Sequence, residues 1–246
     1  MDPNKTEQKR RRREYAEGLR DGVPIALGYF AVSFSLGIAA RNAGLSIAEG
    51  VLASLLNNAS AGEYSLFTLI GSGAACIEIA LATLVINARY LLMSCALSQH
   101  FRPETPFYHR FFVGFAVTDE LFGIGVSRPN GLDPRYFYGA MSVAVPAWAA
   151  GTGLGIFMGN LLPQNIVSAL SVALYGMFLA IIIPPAKHNR VVLGCVLVGF
   201  LAPAAFAYLP LLKTLSSGTV TILLTVIISV LAAILFPRPE EEEASA

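Results

Sequence analysis

The sequence predicts an all-α fold, a polytopic membrane helical bundle of six to eight crossings that includes broken or re-entrant segments. Three observations carry this. The 246 residues are 55% hydrophobic and only 13% charged, with a mean hydropathy of +0.62, whereas a soluble domain carries about 25% charged residues. The charges gather in the two tails and a few joints, which leaves runs of the roughly 20 residues that cross a bilayer as helix. Those runs lack the two-residue alternation of a membrane barrel, and lipid admits only helices or closed barrels.

Residues 1–20 form a basic tail with Lys9, Arg10, Arg11, Arg12 and Arg13 before the first apolar run. This is the cytoplasmic anchor of the positive-inside rule rather than a nucleic-acid contact. The first span follows from about Gly22 to Ala40 and is too long for a signal peptide's apolar core, so it is expected to stay attached. Ser46 to Gly73 is apolar at both ends and polar in the middle, where Asn57, Asn58, Ser60 and Glu63 interrupt it. Ala74 to Ser98 is the longest clean span.

Phe111 to Val126 holds Asp119 and Glu120 at its centre. Its nine large apolar residues contribute roughly −3 to −5 kcal/mol of insertion energy, against about +5 to +7 for two central carboxylates. Alone it would not insert. Four better spans follow, at about Tyr136–Met158, Ile166–Ile183, Val191–Leu209 and Gly218–Phe236, with joints at Pro184-Pro185 and Pro210. The membrane domain is thus 21–237, and 238–246 is an acidic tail with Glu240 to Glu243. Arg128, Arg135, Lys187 and Arg190 fall in joints on the side of the basic head, and re-entrant segments would add Arg102 and Arg110 to them. "LGIAARN" from Leu36 and "LGIFMGN" from Leu154 hint at an internal duplication.

The polar residues inside the apolar runs are where chemistry is expected. A break in a helix frees backbone groups for a ligand, and asparagine offers donor and acceptor together. The alternative for Asn57, Asn58 and Ser60 is hydrogen-bonded packing between helices. Glu63 is costlier: in hydrocarbon it must bind a proton, pair, or line a watery path. Arg89 either snorkels or reaches a buried Asp119 or Glu120. Gly151, Gly155 and Gly159 have the spacing of close helix packing, and Trp148 reads as packing more readily than as a ligand-stacking ring.

The three cysteines lie in apolar runs and the three histidines in polar joints, so no metal site and no cofactor are expected. A membrane hydrolase would need a nucleophile beside a base, and neither a histidine nor a G-x-S-x-G falls within a span; an aspartyl pair remains conceivable from Asp119, with Asp21 the only other aspartate near a span. A passive channel remains compatible with polar intramembrane residues. An ATP-driven importer subunit would need a longer inner joint than the chain offers.

Taken in order, "GVPIALGYF", "SLLNNASAGEYSLF", "NARYLLMS", "TDE", "WAAGTGLG" and "FLAIIIP" resemble the AzlC family of branched-chain amino-acid permeases, the large subunits of two-component exporters, over roughly Gly22 to Leu209. Family members show an A-G-A-S-Q-F-like stretch where this chain has Ala59 to Tyr64, an N-x-R followed by L-L at Asn87 to Leu92, and T-D-E at Thr118 to Glu120. The chain departs at Glu63, where glutamine is usual, and at Asn57-Asn58. The resemblance implies export of branched-chain or other hydrophobic amino acids from a prokaryotic cytoplasm, driven by the proton motive force, with a small AzlD-type membrane subunit. On that reading Asn57, Asn58, Ser60, Glu63, Tyr64, Asn87, Arg89 and Trp148 line the substrate pocket, Arg89 clamps a carboxylate, and Glu63, Asp119 and Glu120 are the candidates for proton coupling.

Overall fold

A computed structural model describes residues 3–102, 104–128, 131–159, 189–208 and 217–236, with isolated positions between 161 and 187. Among these residues it holds nine helices and no strand: α1 (Pro3–Asn42), α2 (Ile47–Leu56), α3 (Ser60–Gly71), α4 (Cys76–Gln99), α5 (Phe107–Phe115), α6 (Asp119–Val126), α7 (Pro134–Met158), α8 (Arg190–Tyr208) and α9 (Ser217–Leu235). The membrane helical bundle is therefore observed. Three helices, α1, α4 and α7, are long and apolar enough to cross a bilayer. The expected span Ile166–Ile183 lies almost wholly outside the described residues, as do the joint prolines and the acidic tail.

The framework is α1 packed along α7, the most extensive helix contact in the bundle. Small residues make it possible. A Cβ on Gly37 would fall 2.2 Å from the Thr152 carbonyl oxygen, and one on Gly155 would fall 2.1 Å from that of Phe34. Gly151 likewise admits the backbone of Phe30, so two of the three spaced glycines pack on helix backbone, while a Cβ on Gly159 would meet the Arg41 side chain at 3.5 Å. The helices run parallel, with Gly18 on Tyr136, Gly22 on Ala140 and Gly37 on Gly155. Each pair is 118 residues apart, the offset between the two similar segments. Equivalent positions of the two segments thus face each other across a local two-fold axis along the helices.

The two polar-centred segments are hairpins that enter and return. With 10 and 12 residues, α2 and α3 are only about 15 and 18 Å long, half a membrane each. Gly50 of α2 meets Ile156, deeper Ser54 bonds Thr152 at 2.6 Å, and Gly71 at the end of α3 is back beside Ala43, just before α2 begins. A Ser46 and Glu49 capping box starts α2, and the chain breaks at Asn57 to Ala59. The second hairpin enters from the opposite face. Arg110 of α5 bonds Ser98 and Gly114 lies by Ser94, so α5 climbs alongside α4. After the break at Ala116 to Thr118, α6 returns until Gly125 meets Leu97. Thr118 caps α6 by accepting from the Leu121 N–H.

The face that holds the start of α1 is tied by charge. Arg128 pairs with Glu14 and Glu17 at 3.0 and 3.1 Å, and its guanidinium lies over the Tyr136 ring. Arg102 lies 3.6 Å from Glu14 and 3.7 Å from Asp133. Residues 3–20, expected as a basic tail, continue α1 as helix, with Arg13 and Glu17 paired one turn apart. At the other face the Thr219 N–H, in the first turn of α9, donates to Glu78, so α9 runs beside α4, with α8 packed against it.

Candidate functional site

The tips of the two hairpins meet at the middle of the bundle. Between them and α1, α4 and α7 lies a cavity of about 510 Å³, lined by Asn58 and Ser60 from the first tip and Thr118, Asp119 and Glu120 from the second. Tyr29 from α1, Tyr90 from α4 and Trp148 from α7 supply aromatic walls, and Pro24, Ile25 and Val32 an apolar one. Pro24 sits inside α1, where it cannot donate the helical hydrogen bond to the carbonyl of Arg20.

Glu63 lies behind this cavity, not in it. Its side chain is fully buried. Oε2 accepts from the Trp148 indole N–H at 2.6 Å, and Oε1 accepts from the hydroxyls of Ser54 and of Thr152, the latter at 3.1 Å. Thr152 also reaches the Ser33 carbonyl at 3.4 Å. Both arms of the first hairpin are thereby fastened to α7, and α7 to α1 through Ser33. Ser54 and Thr152 can each turn to donate or accept, so the cluster satisfies the carboxyl group whether it is ionised or carries a proton.

Trp148 connects this dry cluster to the cavity. Its ring meets Tyr29 edge-on, 5.2 Å between centroids. The Tyr29 hydroxyl bonds that of Thr118 and donates to Glu120 Oε2 at 2.8 Å. Arg89 pairs with Asp119 at 2.9 Å and bonds the Tyr90 hydroxyl. The expected reach of Arg89 to one of the two carboxylates is therefore present, although both partners are close to half-exposed, at 45% and 44%. Arg89 does not line the cavity.

Asn87 donates to Asn57 Oδ1 at 2.8 Å and approaches closely because residue 62 is glycine: a Cβ there would fall 2.4 Å from Asn87 Oδ1. The amide nitrogens of Asn57 and Asn58 and the amide oxygens of Asn58 and Asn87 are buried without a protein partner among the described residues. Polar groups in that condition take ordered water or a solute as partner. Tyr64 is half-buried against the core.

The structure thus brings Asn58, Ser60, Trp148, Asp119 and Glu120 to one cavity, sets Asn57 and Asn87 as a pair beside it, and places Glu63 in a sealed layer behind. Sequence reasoning did not single out Tyr29, Tyr90, Ser54 or Thr152. A signal existed for Thr152, which is one helical turn beyond Trp148 and shares its face. No group of His, Cys, Asp and Glu side chains suited to a metal ion occurs among the described residues.

The model of the AzlC protein family matches residues 24–162. A protein of Archaeoglobus fulgidus described as "Uncharacterized membrane protein" is 29% identical over 179 residues, covering 72% of this chain and 78% of its own. "Inner membrane protein YgaZ" of Escherichia coli K12 is 24% identical over 204 residues, 80% of this chain and 83% of its own. No solved structure matches.

Proposed function

The chain belongs to the AzlC family of membrane proteins, and from that premise we propose that it is a secondary transporter exporting branched-chain or other hydrophobic amino acids, driven by the proton motive force. One observation carries the reading. Two half-membrane hairpins of opposite sense put their broken tips against a single polar and aromatic cavity, the arrangement by which broken helices present backbone and side-chain polar groups to a solute at mid-membrane depth. The cavity has room for a side chain of leucine size beside its polar lining. Coupling to protons is assigned to Asp119 and Glu120 on the cavity and to Glu63 in the layer behind it. No bond is made or broken, so no enzymatic activity is assigned.

The basic residues Arg102, Arg110, Arg128 and Arg135 share the face where α1 begins, which supports a cytoplasmic N-terminus in a prokaryotic inner membrane. The small AzlD-type subunit is proposed as partner from the family resemblance. An aspartyl hydrolase is disfavoured by partners: Asp119 is paired with Arg89, and Asp21 accepts from the Tyr136 hydroxyl.

The test is counterflow of labelled leucine, isoleucine and valine in proteoliposomes, with and without the small subunit and with and without an uncoupler. Concentrative, uncoupler-sensitive flux is expected. Flux that only equilibrates the two sides would mark a channel instead.

A further inference from the structure

Glu120 differs from the other two carboxylates of the site. Asp119 is matched by Arg89, and Glu63 is sealed with three donors. Glu120 is exposed on the cavity wall, and among the described residues its side chain has the Tyr29 hydroxyl as partner and no cation. A carboxylate halfway through a membrane binds a proton, pairs with a positive charge or faces water, and one that lines a solute cavity is open to a cation from that side. Tyr29, Tyr90 and Trp148 line the same space, and aromatic rings attract ammonium groups. Pro24, Ile25 and Val32 complete the lining with a surface that suits an alkyl body. Among the described residues a carboxylate finds no free cation here, because Arg89 is paired with Asp119 and stands off the cavity wall.

We propose that Glu120, walled by Tyr29, Tyr90 and Trp148, receives the ammonium group of the transported solute, and that this ammonium and a proton exclude each other there. The inference rests on the transport reading and specifies the chemistry of its site. One positive charge neutralises the Glu120 carboxylate in either state, so solute leaving and proton arriving are a one-for-one exchange at this group, while the carboxylate of an amino acid leaves with the solute. Competition for one group is the minimal device that couples two flows. The charged and titratable groups that face Glu120 are Tyr29 from α1, Arg89 and Tyr90 from α4 and Asp119 from its own helix, while Glu63 of α3 reaches it only through Trp148 of α7. The Arg89 and Asp119 charges cancel, which leaves Glu120 as the group whose charge the ligand answers.

Trp148 is the chain's single tryptophan, so the intrinsic fluorescence of the intact protein in nanodiscs reports occupancy of the cavity. The probes are leucine, leucinol, which keeps the ammonium and lacks the carboxylate, and N-acetylleucine, which does the reverse. Leucine and leucinol are expected to bind comparably, and N-acetylleucine about tenfold to a hundredfold more weakly, the worth of a charge-assisted hydrogen bond. Mild acidification is expected to weaken leucine binding, and leucine added at that pH to release protons into weak buffer. Glu120→Gln is expected to remove the pH dependence and Glu120→Asp to keep it; should the glutamine variant not fold, the wild-type series still decides. Equal binding of N-acetylleucine, affinity indifferent to pH, or silence toward both leucine and leucinol overturns the proposal. Binding by these rules without counterflow would overturn the transport reading and leave the ammonium site standing. Counterflow indifferent to the amino group would do the opposite.

Discussion

Gly155→Leu is expected to abolish recovery of folded protein, whereas Gly199→Leu leaves it unchanged. At Gly155 even a Cβ would lie 2.1 Å from the Phe34 carbonyl oxygen and 3.0 Å from the Gly37 Cα, both backbone atoms that cannot swing aside. The helices must separate or shift along their whole length, and overpacking of an interior costs about 1–3 kcal/mol even where side chains can yield. The same two helices carry Tyr29 and Trp148 to the cavity, so a surviving population would have a displaced site. A Cβ on Gly199 of α8 meets nothing within 4 Å. Thermal melts of the solubilised variants, read by size-exclusion profile, distinguish the two. Equal profiles would mean that α1 and α7 are not in backbone contact.

Glu63→Leu is the second large effect, and Glu63→Gln its control. Leucine removes the acceptor of the Trp148 N–H and one partner of each of the Ser54 and Thr152 hydroxyls. The hydroxyls still bond each other at 2.6 Å, but the buried indole N–H is left alone. An unsatisfied buried donor costs about 1–3 kcal/mol, and the loss of the tie between the α3 arm of the hairpin and α7 adds to it. Glutamine fits: its carbonyl turns to the indole and its amide to the two hydroxyls, which accept through their lone pairs. The leucine variant is expected to melt well below wild type with a blue-shifted or heterogeneous Trp148 emission, and the glutamine variant to keep both properties. Equal stability of the two would show that the cluster is not dry.

Hydropathy and charge spacing made the long helices legible, because only length and apolarity decide which runs span a bilayer. The two broken segments were legible as costs: asparagines and carboxylates in otherwise apolar runs need a reason. Their path was not. Whether a segment crosses or returns depends on where its far end lands, and that is settled by Gly71 against Ala43 and by Arg128 against Glu14 and Glu17. These contacts join residues remote in the chain and leave no local periodicity.

The site divides in the same way. Asn58, Ser60, Asp119 and Glu120 stood out by type, and the structure sets them around one cavity. The sealed position of Glu63 depends on Trp148 and Thr152, roughly ninety residues away, so no local pattern distinguishes a dry acid from a wet one. Tyr29 and Tyr90 were hidden because an aromatic residue in a span is ordinarily packing. The helical character of residues 3–20 escaped because it is held by Glu14 and Glu17 against arginines of later loops.

The measurement that bears most directly on transport through the space between the hairpin tips is thiol accessibility. Asn58→Cys, Ser60→Cys and Ser54→Cys are placed singly in a background with Cys76, Cys95 and Cys195 replaced by alanine, then exposed to a membrane-impermeant thiol reagent with and without leucine. Cysteines replacing Asn58 and Ser60 are expected to react, to be protected by leucine and to stop counterflow once labelled, while the one replacing Ser54 stays unlabelled. Tips as unreactive as position 54, or labelled with no effect of leucine and no loss of flux, would contradict it.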